Sequence, residues 1–120
     1  MKPIQVLNKF LEARDCMHLV HLNTTSYAEH KALGKFYEAW LDLVDAFIET
    51  LQGSQGRVAG DVTITASSST NSVEYLTQLR AFLQVDAPSI IAPDLDKDLD
   101  NILADMLGLV NQTLYLLTLK

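Results

Sequence analysis

Between residues 26 and 52 apolar side chains recur at three- and four-residue steps without a break. Leu33, Tyr37, Trp40, Leu41, Val44, Ile48 and Leu51 form the stripe, and Phe36, Leu43 and Phe47 widen it on one flank. This period belongs to an α-helix with one buried face, and a helix this long needs other helices to cover that face. Ser26 stands three residues before Glu29, the spacing of a capping box, and sets the start of the helix. Gly53 is expected to end it as a C-terminal cap.

The rest of the chain supplies the covering helices. The pattern predicts a first helix over 3–21, with Pro3 in its first turn and Ile4, Leu7, Phe10, Leu11, Met17 and Val20 on its apolar stripe. Arg14, His18 and His21 continue the line of Leu7 and Leu11, so that face turns polar toward its end. The short Leu22–Thr25 turn predicts antiparallel packing of the first two helices. Residues 53–70 change character, with three glycines, a serine run and period-two alternation over Asp61–Ala66. A single strand has no partner, so this stretch reads as an ordered crossover loop. Asn71 and Glu74 open a third helix over 72–84, with Tyr75, Leu76, Leu79, Phe82 and Leu83 on its core stripe. Pro88 and Pro93 punctuate the next connection, where Ser89–Ala92 has room for a single turn. A fourth helix is predicted over 94–119, burying Leu95, Leu99, Ile102, Leu103, Met106, Val110, Thr113 and Leu117. Asp94, Asp96, Asp98 and Asp100 complement its N-terminal dipole and lack the glycine and distal glutamate of a calcium loop. The expectation is an all-α protein, a four-helix bundle with a long connection between its second and third helices, in one domain over 1–120.

Composition bounds the function. The chain is 48% hydrophobic, enough for a core without staples. Its formal net charge is -6 and the N-terminus carries no basic arm, which argues against nucleic acid as a partner. Cys16 is the single cysteine and falls in an apolar helical pattern, where a buried, inert thiol is expected. The opening Met1-Lys-Pro-Ile-Gln lacks the pattern of a secretory signal, and no apolar run approaches the roughly 18 residues of a membrane span. A cytoplasmic location and no membrane partner are therefore expected.

All three histidines, His18, His21 and His30, lie close to the first turn. Glu38, Asp42, Asp45 and Glu49 follow on one stripe of the second helix. Imidazole with carboxylate is the donor set of a non-haem iron site, and Mn and Zn also suit it. Spacing constrains who can meet whom. His30 and Asp45 are separated by about 22 Å at ~1.5 Å rise per residue, so one chain cannot bring them to one ion. Asp45 and Glu49 are one turn apart and can act together. Two antiparallel copies of the second helix about a twofold axis would place the histidine end of one against the carboxylate end of the other, forming two equivalent sites. Spacing also allows plainer roles: a solvated acidic face, a structural His30, and a histidine pair at a helix C-terminus.

The run Ser26-Tyr-Ala-Glu-His30, the preceding His21-Leu22-Asn23, and Asp45 and Glu49 at their offsets from His30 resemble the Dps-like branch of the ferritin superfamily, and most of all its small phage-encoded ferritin-like members. The closing Leu109–Leu119 segment is similar to the end of that group. The resemblance implies a ferritin-like bundle that binds iron between two subunits and oxidises Fe(II) with peroxide or oxygen, serving iron storage or protection from oxidative stress in a bacterial or phage-infected cell. It implies His21, His30, Asp45 and Glu49 as ligands, with His18 and Asp42 as supporting or alternative residues. A homodimer is then the minimal assembly and a larger shell a further expectation. Leu22 stands where the family has Trp, and the His21–His30 interval is nine where typical members have twelve, a spacing that His18 restores. The alternative is a non-catalytic ferritin-like structural or interaction module whose metal site is vestigial.

Overall fold

The computed structural model describes residues 1–120 as four α-helices and one short 3-10 turn, with no strand. The helices are α1 (Pro3–Asn23), α2 (Tyr27–Gln55), α3 (Ser72–Val85) and α4 (Lys97–Leu116), and the turn spans Ala87–Ile90. No helix is long and apolar enough to cross a membrane.

Contacts between distant residues give the direction of each helix. α1 and α2 form an antiparallel hairpin. The connection 56–71 then climbs along α1: Gly60 lies over Ile4, the Thr63 amide donates to Asn8 Oδ1, and the Cys16 thiol donates to Thr70 Oγ1 at 3.2 Å. The loop thus returns to the level where α2 began, and the Ser72 hydroxyl bonds the Glu29 carboxylate there at 2.5 Å. α3 runs back down. The 3-10 turn closes the lower end, where Gln55 donates to the Ile90 carbonyl. α4 then rises beside α2 and α3 and brings Leu116 to the histidine end. The order is up, down, long crossover, down, up.

A single buried cluster holds these helices together. Its centre is aromatic: Phe10 meets Trp40, Phe47 and Phe82 edge-on at 5.4, 5.8 and 6.1 Å, and Phe36 stacks on Trp40. The buried Trp40 indole N–H donates to the Phe10 carbonyl at 2.9 Å, which removes the cost of an unpaired donor in the core.

Several local expectations change. Glu29 makes only half a capping box: its amide bonds Ser26 Oγ, but its carboxylate is drawn to Ser72. α2 continues through Gly53 to Gln55, and Gly56, at φ +91°, is the residue whose left-handed backbone ends the helix. Asp61–Ala66, by contrast, forms no strand and lies in the crossover loop, as expected. α4 starts only at Lys97, because the Asp96 side chain turns back to accept from the Ala92 amide. Leu95, expected in the core, is 85% exposed in that turn. The buried face of α1 is Val6, Phe10, Ala13, Cys16, Met17 and Val20, while Ile4, Leu7 and Leu11 are only half-buried. On α2 the core line passes through Phe36 and Phe47, leaving Tyr37, Leu41 and Ile48 half-buried beside it.

Candidate functional site

The end of α1 and the start of α2 bring His21 and His30 face to face, with ring centroids 4.0 Å apart and planes 13° from parallel. The two bonds that hold them are reciprocal. His21 Nδ1–H donates to the His30 carbonyl at 2.6 Å, and His30 Nδ1–H donates to the His21 carbonyl at 2.9 Å. The His21 carbonyl belongs to the last turn of α1, where no intrahelical donor follows, so His30 satisfies an orphan acceptor. With Nδ1–H committed on both rings, Nε2 is the lone-pair nitrogen of each neutral imidazole.

Space for this pair depends on a residue with no side chain. A Cβ at Gly34 would lie 2.8 Å from His21 Cε1 and 3.1 Å from its Nδ1. Gly34 is therefore the gap into which the His21 ring fits. A mid-helix glycine costs about 1 kcal/mol against alanine, and that unexplained cost was the only sequence sign of the gap. Tyr37 completes the group: it stacks on His18 at 4.2 Å and meets the edge of His21 at 5.3 Å. His18 lies 6.1 Å from His21 between ring centroids and does not join the His21–His30 exchange.

A cleft of about 590 Å³ opens over this corner, lined by His21, His30, Lys31, Gly34, Lys35, Tyr37 and Glu38, with Leu116 and Leu119 as its apolar wall. Lys31 and Lys35 carry no motif of their own; Lys31 follows His30 directly and Lys35 lies one turn further on, which is what brings both to the cleft.

The carboxylates lie elsewhere. Asp42, Asp45 and Glu49 are exposed further down α2, about 22 Å from His30 in the case of Asp45 by helical rise. No group of three His, Cys, Asp or Glu side chains converges on one point within the chain. The structure thus brings His21 to His30, leaves His18 on Tyr37, and holds Asp45 and Glu49 apart from both.

A second polar group sits mid-bundle. The Tyr75 hydroxyl donates to Glu12 Oε1 at 2.8 Å, and Lys9 Nζ reaches the same oxygen at 3.2 Å while lying 4.7 Å over the Tyr75 ring. Burial, and then the bond to Glu12, push the phenol well above its ordinary range.

No solved structure matches the chain significantly. It is 25% identical over 120 residues to the "Uncharacterized 14.6 kDa protein in mobD-ri intergenic region" of Enterobacteria phage T4, an alignment that covers 99% of this chain and 90% of the relative. The model of the "Family of unknown function (DUF5856)" matches residues 21–117, which take in the histidine pair, all of α2 and the return helices, and the chain belongs to that family.

Proposed function

We propose that this protein is a Dps-like member of the ferritin superfamily that binds iron at a site shared between two subunits and oxidises Fe(II) there, with peroxide or oxygen taking the electrons. The observation that carries the reading is the His21–His30 exchange. Ligating histidines characteristically donate their second ring N–H to a carbonyl or carboxylate, which fixes the tautomer and turns the other nitrogen toward the ion. Both rings here have that arrangement, at the level of a cleft. The order of the helices, with one long crossover after the second, is also that of ferritin-like bundles.

The donor set fits iron. His21 and His30 would supply two neutral nitrogens, and Asp45 and Glu49 of a second copy two carboxylates, a mixed set suited to Fe and accepting Mn or Zn. Bound iron would supply the redox chemistry. The chain's part is to fix the tautomers through the paired carbonyls, to hold the His21 ring in the Gly34 gap with His30 stacked on it, and to shield the pair with Leu116 and Leu119. Asp42, one turn before Asp45, and His18, held on Tyr37, would support these ligands. With a phage relative, the fitting setting is the cytoplasm of an infected cell, in iron storage or protection from oxidative stress.

One observation favours a second reading. His30 already serves α1 as a C-terminal cap, so the pair clasps the hairpin without any metal. On that reading the chain is a structural or interaction module. Metal analysis and Fe(II) oxidation, measured on wild type and on Asp45→Ala/Glu49→Ala, separate the two. The iron reading expects bound metal and a rate that the double variant loses; absence of metal together with equal rates sinks it.

A further inference from the structure

The exposed face of α2 carries six charges within an arc of about 80° of the helix: Lys31, Lys35, Glu38, Asp42, Asp45 and Glu49. They are sorted by sign along the axis, both lysines first and all four acids after. None of them pairs within the chain, whose ion pairs are Lys9–Glu12 and Arg14–Asp15. A stripe that is basic at one end and acidic at the other is complementary to itself when a second copy lies antiparallel, since a twofold axis sets each half against the opposite half. We propose that this stripe is the docking surface for a second copy of the chain, and that Lys35, paired with the partner's Asp42, sets the register of the dimer.

The register rests on the iron reading; the charge pairing stands without it. For His30 to come level with the middle of the Asp45–Glu49 turn, the axis must pass between Glu38 and Ala39. That axis, chosen from the histidine and the two carboxylates alone, places Lys35 level with the partner's Asp42. It places Lys31 within one residue of the partner's Asp45. Leu41 and Ile48 lie half-buried on one flank of the stripe, apolar side chains that a second copy can cover. Glu38 faces its own mate at the axis, and the Lys35 side chains of both copies stand one turn away. Lysine thus sits beside each carboxylate that the approach would otherwise crowd against another.

The test uses the full chain in chelator, so that no metal contributes. Sedimentation velocity at low salt should show a wild-type dimer. Lys35→Glu and Asp42→Lys should each weaken it by about tenfold or more, and the double exchange Lys35→Glu/Asp42→Lys should restore it, as expected for a pair that meets twice per interface. Glu38→Gln should tighten it. In a Cys16→Ser background, Glu38→Cys should form a disulfide-linked dimer. Asp45→Cys should not, because its two copies would lie roughly 20 Å apart, far beyond the ~7 Å limit between bridged Cα atoms. A monomeric wild type, single reversals without effect, a double exchange without rescue, or cross-linking through Asp45→Cys in place of Glu38→Cys overturns the proposal. A dimer that obeys these rules but oxidises no iron leaves the docking surface standing and removes the iron reading. Iron oxidation by a dimer indifferent to these charges does the reverse.

Discussion

Replacing Gly34 by alanine sets two opposing effects against each other, and their balance tests whether the His21 ring occupies the gap. Alanine is favoured over glycine inside a helix by about 1 kcal/mol. Its Cβ would sit 2.8 Å from His21 Cε1, so the ring must leave its position. Leaving breaks the 2.6 Å bond to the His30 carbonyl, which contributes about 1 kcal/mol, and disrupts the stack with His30, worth about 0.5–1 kcal/mol. The single variant should therefore lie within about 1 kcal/mol of wild type, on the unstable side. In a His21→Ala background nothing opposes the new methyl, and the same substitution should stabilise by about 1 kcal/mol, near 4 °C in Tm for a domain of this size. The coupling between positions 21 and 34 is then about 1.5–2 kcal/mol, measurable by urea denaturation of the four proteins of the cycle. An equal gain from Gly34→Ala in both backgrounds would refute the packing described at this corner.

Other consequences are independent of the histidines. Because the Tyr75 phenol titrates higher in the fold than the 10.0 of the free side chain, its contribution is complete below pH ~10 and is lost as pH rises above it. Tyr75→Phe should flatten the alkaline fall of stability, and an unchanged slope between pH ~9 and ~11 would contradict the assignment. Ser72→Ala should free the Glu29 carboxylate and loosen the arrival of the crossover, seen as faster amide exchange over residues 56–71, with a loss of about 1 kcal/mol in global stability. Trp40→Phe should cost about 2–3 kcal/mol, since it deletes core volume and the indole's buried bond to the Phe10 carbonyl; a loss below ~1 kcal/mol would show that the aromatic centre repacks.

The helices were legible because each carries a sustained apolar period, and the crossover because residues 53–70 break it. The rotation of α1 was less so. Its leucines and isoleucine at 4, 7 and 11 advertise one face, but the helix is turned so that Phe10 meets the large aromatics of α2, and the small Ala13 and Cys16 are buried with it. Gly53 carries no backbone requirement and passes inside α2, while Gly56, at positive φ, does the stopping. Local pattern could not show that the carboxylate of Glu29 belongs to Ser72, because that bond joins residues 43 apart in sequence. At the site, the nearness of His21 and His30 followed from the short turn. Their exchange of carbonyls and their dependence on Gly34 did not, since both arise from how the two helices cross. The separation of the histidines from Asp45 and Glu49 was legible from helical rise alone, and it is the fact from which the assembly argument grows.

A site shared between two copies is tested most directly by complementation. His21→Ala/His30→Ala and Asp45→Ala/Glu49→Ala chains, each inactive in Fe(II) oxidation alone, should recover activity when unfolded and refolded together. A mixed dimer joins the intact histidines of one chain to the intact carboxylates of the other at one of its two sites. With random pairing, about a quarter of the wild-type sites should return. No recovery on mixing, or full oxidation by either variant alone, would contradict a site shared between two copies.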